Sequence, residues 1–224
     1  MYSCQQAETY IQVNGELKKW HKITLEISGP ITSEWDKQNP FLDYTLEVTF
    51  TNGTKKYVVP GFYAADGDAA ETSADAGNIW KVRFTPDESG RWNYSVSFKK
   101  AKDIAVNNGE GEPVFSDGVE GSFDVVESDK TGDDFRSKGR VVNGGNGYFK
   151  FLESDVLWIK NGADSPENFL AYVDFDKTIR YSSQARSGEA DPKKDLHCYE
   201  THLSDWSEGD PTWQGSKGKV IIGA

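Results

Sequence analysis

The stretch Trp80–Phe98, WKVRFTPDESGRWNYSVSF, constrains the fold more than any other. Trp80, Val82 and Phe84 alternate with Lys81 and Arg83, so one face is apolar and the other polar. After Thr85-Pro86-Asp87-Glu88-Ser89-Gly90 the alternation resumes through Trp92, Tyr94, Val96 and Phe98. A period of two with aromatic and β-branched residues on one side is the mark of a half-buried strand. Pro86 cannot donate to a ladder and Gly90 tolerates a left-handed turn, so a corner or a hairpin separates two strands. Strands this rich in tryptophan belong at the centre of a β-sandwich.

The rest of the first half repeats the pattern. Trp20–Ser28 places Ile23, Leu25 and Ile27 on one face, and Gly29-Pro30 is expected to end that strand. Phe41–Phe50 alternates Leu42, Tyr44, Leu46, Val48 and Phe50 with polar residues. Asn52-Gly53 then signals a hairpin into Lys55–Val59. Gly61–Gly77 and residues 99–118 read as loops, and Gly121–Val126 supplies another strand through Phe123 and Val125. About six strands with turn signals between them predict an immunoglobulin-like sandwich over residues 17–127, after a polar lead-in over 1–16.

Composition narrows the partners. Thirty-six acidic residues against 25 basic give a net charge of −11, which disfavours phosphate backbones and anionic lipid. Mean hydropathy is −0.67 and no apolar run is long enough to span a bilayer. Seven tryptophans suit either aromatic-filled β cores or a stacking platform for sugars. Two distant cysteines, Cys4 and Cys198, give no disulfide framework. Ser3-Cys4-Gln5-Gln6 resembles the modified cysteine of a bacterial lipoprotein signal, although the apolar stretch that precedes such a cysteine is missing. Cys4 is either the residue next to a trimmed signal or an ordinary terminal thiol.

The second half is different in kind. Residues 128–147 are polar and read as a linker. Tyr148–Phe151 and Val156–Ile159 are short apolar runs expected to pair as a hairpin. Ser165-Pro166-Glu167 has the features of a helix start, with Ser165 as N-cap and Pro166 at the first helical position. That helix is expected to end near Val173. Lys217–Ala224 opens a second helical pattern that stops in its second turn, as expected of a protein cut short.

Few residues carry chemistry. Asn161–Asn168 follows an apolar strand and opens a helix, the place where α/β barrels put ligand-binding groups. Asp164, Glu167 and Asn168 there are candidates for hydrogen bonds to sugar hydroxyls, with capping and a tight turn as the alternative. Asp66, Asp68 and Asp75 lack the ligand spacing of a calcium loop. His197, Cys198 and His202 form H-C-x3-H without a second cluster to complete a zinc site. Neither a metal nor a cofactor is expected. Trp206 and Trp213 bracket an acidic loop of the kind that lines sugar clefts or covers a neighbouring domain. Phosphate-loop and nucleophile-elbow motifs are lacking.

The series NPFLDYTLEVTF, VPGFY, WKVRFTPDESGRWNYSVSF and GSFDVV resembles the uncharacterised β-sandwich module at the N-terminus of certain bacterial glycoside hydrolases. YFKF and NGADSPENFLAY, followed by DFD, are similar to the join between that module and the catalytic barrel. The resemblance covers roughly residues 17–176. It implies a mainly β chain: a sandwich followed by the truncated beginning of an α/β, TIM-type barrel over 148–224, with Tyr148–Ile159 closing the barrel bottom and supplying its first strand. It further implies a secreted, periplasmic or lipid-anchored enzyme acting on a polysaccharide or oligosaccharide, with Asp164, Glu167, Asn168, Tyr172 and Trp206 as sugar contacts. The sandwich would brace the enzyme's own barrel. The rivals are a carbohydrate-binding module and a structural domain that binds nothing. Only 66 residues follow Trp158, against a closed barrel of roughly 250, so the chain alone is expected to be catalytically inert.

Overall fold

The computed structural model describes residues 10–107 and 109–159. They fall into one compact unit, 10–67 with 75–159, and a second of which 68–74 are described. The expected helix near 165–173, the helical pattern at 217–224 and the barrel beyond Ile159 lie outside the described residues.

In chain order the first unit contains β1 (Ile11–Asn14), β2 (Ile23–Ser33), β3 (Tyr44–Asn52), β4 (Lys55–Pro60) and β5 (Phe62–Tyr63). It continues through β6 (Ala76–Phe84), β7 (Gly90–Lys100), a helical turn at Ile104–Asn107, β8 (Glu112–Pro113) and β9 (Glu120–Val125). A 3-10 turn at Phe135–Ser137 then precedes β10 (Val141–Gly145), β11 (Tyr148–Phe151) and β12 (Leu157–Trp158). The described part of the second unit holds a single helical turn, Ala69–Thr72. The described fold is therefore mainly β.

Two sheets form the core. One has the order β1-β2-β6-β5; the other has β4-β3-β7, with β8 and β9 both pairing to β7. Alternation decides what each strand buries. Ile23, Leu25 and Ile27 of β2, Trp80, Val82 and Phe84 of β6, and Trp92, Val96 and Phe98 of β7 are all buried. They meet face to face: the Trp80 and Phe98 rings lie 4.8 Å apart, and those of Phe84 and Trp92 4.9 Å apart. Because β6 and β7 belong to different sheets, residues 85–89 form a corner that crosses between layers, not a hairpin. The expected Asn52-Gly53 hairpin is present, with Asn52 opposite Lys55.

Several local expectations are corrected. The lead-in contains β1, whose Ile11 and Val13 pair with Ile27 and Leu25; four residues are too few to display an alternation. Gly29-Pro30 does not end β2. The strand runs on to Ser33 through a register shift between Ser28 and Thr32, since a bulge accommodates the proline's missing N–H. The stretches read as loops hold β5, β8 and two helical turns, and the stretch read as a linker holds β10. Tyr148–Phe151 and Leu157–Trp158 do pair antiparallel, and β11 is the central strand of a three-stranded sheet β10-β11-β12.

Candidate functional site

The sites expected from sequence do not fall within the described residues. Asp164, Glu167, Asn168, Tyr172 and Trp206 all lie beyond them, as do His197, Cys198, His202 and Trp213. Of the acidic trio in the 61–77 stretch, Asp75 accepts a hydrogen bond from the Trp35 indole at 2.9 Å. Among the described residues the trio forms no metal-type cluster.

The structure shows a different concavity, a cleft of about 470 Å3 where the β6–β7 corner and β4 meet residues 135–140. That volume lies within the range of small-molecule sites. Its walls are aromatic and cationic: Trp20, Tyr57, Phe84 and Phe135 with Arg83, Arg136 and Arg140. Trp20 occupies the left-handed region, with φ of 64°, a costly conformation for a bulky residue. Its backbone N–H donates to the Pro86 carbonyl at 2.8 Å, and the Lys19 N–H donates to Val126 at 2.8 Å. These two bonds hold the indole in the wall. Its Nε1 is buried without a hydrogen-bond partner.

Asp87 sits in the corner itself and is buried. Its Oδ2 accepts from the Tyr57 hydroxyl at 2.6 Å and from the Lys55 ammonium at 3.0 Å, while Oδ1 is buried without a partner. Burial alone would raise this carboxyl, but the Tyr57 and Lys55 hydrogen bonds and the nearby positive charges hold it below its ordinary value. Asp87 thus stays ionised at neutral pH and acts as an acceptor.

Around the rim the three arginines differ. Arg136 is engaged by Asp134 through two parallel contacts, Nε to Oδ1 at 2.9 Å and Nη2 to Oδ2 at 2.6 Å. Arg83 stacks over Phe62, 5.2 Å from the ring centroid, and neither it nor Arg140 makes an ion pair among the described residues. Among the described residues Asp87 is the only carboxylate in the cleft lining.

Sequence reading missed this cleft. Asp87 reads as a turn residue within TPDESG, and nothing about Trp20 announces a positive φ. Four separated segments have to converge before the site exists.

Comparison with known proteins gives two likenesses. Residues 16–99 match a family model described as a domain of unknown function (DUF5060). No curated protein matches the chain. A crystal structure described as that of "a putative glycoside hydrolase" from Bacteroides vulgatus ATCC 8482 is similar at 26% identity and a TM-score of 0.42. The alignment covers 65% of this chain and 21% of that one, so the chain spans about a fifth of that protein's length.

Proposed function

We propose that this chain is the N-terminal portion of a polysaccharide-degrading glycoside hydrolase, with the sandwich as an accessory domain that braces a catalytic barrel. The motif series from NPFLDYTLEVTF to GSFDVV supports the family reading, and the match over residues 16–99 agrees with it. The observation that carries the bracing role is the disposition of the large apolar side chains. Of the sandwich tryptophans, Trp80 and Trp92 face the core, while Trp35 is exposed with its indole N–H donating to Asp75. The outer face of β3 and β7 carries Thr45, Glu47, Thr49, Ser95 and Ser97, which offer a sugar nothing to stack on. By contrast Tyr148, Phe149, Leu152, Val156, Leu157 and Ile159 are all exposed on and around the β10-β11-β12 sheet. A concentration of exposed apolar surface at one end of a domain is a docking face.

On this reading the enzyme is secreted, periplasmic or anchored at the cell surface. Asp164, Glu167, Asn168, Tyr172 and Trp206 contribute to the sugar side of the barrel. Among the described residues no helix is long and apolar enough to cross a membrane.

A second reading, a carbohydrate-binding role for the sandwich itself, is favoured by the cleft, where aromatic rings, a buried acceptor and two arginines without an ion pair among the described residues converge. Affinity electrophoresis of the 224-residue chain against a panel of neutral and uronate-containing polysaccharides separates the two. The bracing role predicts unretarded migration throughout. Retardation abolished by Arg83→Ala together with Arg140→Ala assigns binding to the cleft.

A further inference from the structure

Away from the cleft, a second cluster is assembled from residues more than a hundred positions apart. His21 is buried, its side chain only 3% exposed, yet its Nε2 has no hydrogen-bond partner. Its other nitrogen, Nδ1, lies 2.9 Å from the Lys19 carbonyl. A carbonyl only accepts, so Nδ1 carries a proton, and in the neutral form of the ring the lone pair is at Nε2. Two carboxylates lie close to the ring. Asp129 Oδ1 is 3.9 Å away, and the ligand atoms of Glu16, His21 and Asp129 all lie within 4.8 Å of one another.

The backbone fixes this arrangement. The Val126 N–H donates to Leu17 at 3.0 Å, and the Lys19 N–H donates to Val126 at 2.8 Å. Residues 17–19 are thereby clamped to the end of the sandwich, which brings Asp129 beside His21. A positive charge already sits between the acids: the Lys18 ammonium lies 2.6 Å from Glu16 Oε2 and 2.7 Å from Asp129 Oδ2. Lys130 approaches Asp129 Oδ1 at 3.5 Å.

We propose that Glu16, His21 and Asp129 form a binding site for a borderline divalent cation of the zinc class, for which Lys18 is the built-in competitor. One imidazole with two carboxylates suits zinc better than calcium or magnesium, which prefer all-oxygen shells. An imidazole whose far N–H is held by a backbone carbonyl is the usual orientation of a metal-bound histidine. Metal–ligand distances of about 2.1 Å require the donors to draw together by roughly an ångström. The two carboxylates are half exposed and can turn inward once the Lys18 ammonium swings out to solvent. A bound ion would tie the start of the sandwich to the segment leaving it.

The test is Zn2+ titration of the 224-residue chain against a chromophoric chelator, with circular dichroism confirming the fold of each variant. His197, Cys198 and His202 can bind zinc on their own account, so the reading is the difference between variants. Asp129→Asn and Glu16→Gln, both at exposed positions, are expected to lose one equivalent of bound Zn2+. His21→Gln should lose the same equivalent if it folds. Lys18→Met, which removes the competitor, is expected to tighten that equivalent about tenfold. The proposal is overturned if no equivalent depends on Asp129 and Glu16, or if Lys18→Met leaves the affinity of that equivalent unchanged.

Discussion

Phe50 of β3 and Phe84 of β6 stack face to face across the two sheets, with ring centroids 4.1 Å apart and planes inclined by 5°. Trp92 meets Phe84 edge-on, and its indole N–H donates to the Glu88 carbonyl at 3.0 Å. Three strands from two layers thus converge on one aromatic cluster, with its polar handle satisfied.

Trp92→Ala is accordingly expected to cost about 3–5 kcal/mol, the effect of emptying a large buried site that cannot fully collapse. Chemical denaturation of the parent and variant checks this. Equal midpoints would mean that Trp92 does not hold the two sheets together.

Gly29 provides a steric test of the same core. A Cβ there would lie 2.3 Å from Cδ1 of Trp80 and 2.8 Å from a Phe98 ring carbon. Neither ring is free to move, because each packs against the other. Gly29→Ala should therefore destabilise by about 1–3 kcal/mol through overpacking. A thermal melt unchanged from the parent would contradict this packing.

The cleft carboxylate gives a pH signature. Asp87 ionises below its ordinary value of 3.8 in the folded chain, so its contribution is complete above that value and is lost as pH falls through the lower, folded value. The parent should lose stability more steeply than Asp87→Asn as pH falls below the ordinary carboxylate value of 3.8. At pH 7 the variant should be less stable by about 1–3 kcal/mol, because the Tyr57 and Lys55 donors lose a charged acceptor. Parallel acid limbs in urea titrations at several pH values would remove Asp87 from this role.

What was legible in the sequence follows from strand length and from which faces are wet. β2, β3, β6 and β7 each run nine residues or more and bury one face, so their alternation is plain. β1, β5 and β8 are two to four residues long and carry no periodicity to read. β10 includes Asn143-Gly144-Gly145, residues that suit a linker until β11 pairs with them. The cleft and the Glu16–His21–Asp129 cluster were illegible for another reason. Both exist only where distant segments meet, and their members, a turn aspartate and a solitary histidine among them, are ordinary residues in isolation.

Purified as it stands, the 224-residue chain should release no reducing sugar from a broad polysaccharide panel. Among the described residues the cleft lining supplies one carboxylate, Asp87, where two are needed. Release abolished by Glu167→Gln would overturn that expectation and place a working site beyond Ile159.

The bracing role is tested most directly by the thermal half-life of glycoside hydrolase activity in the longer enzyme, with Tyr148→Glu and Leu157→Glu introduced together. Both side chains are more than half exposed in this chain, so the melting temperature of the 224-residue chain should not change. The account predicts that activity of the longer enzyme at a moderate temperature starts near the parent's, whereas its half-life on heating falls about tenfold as the docked face is disrupted. An unchanged half-life, with the charges in place and the sandwich folded, would contradict it.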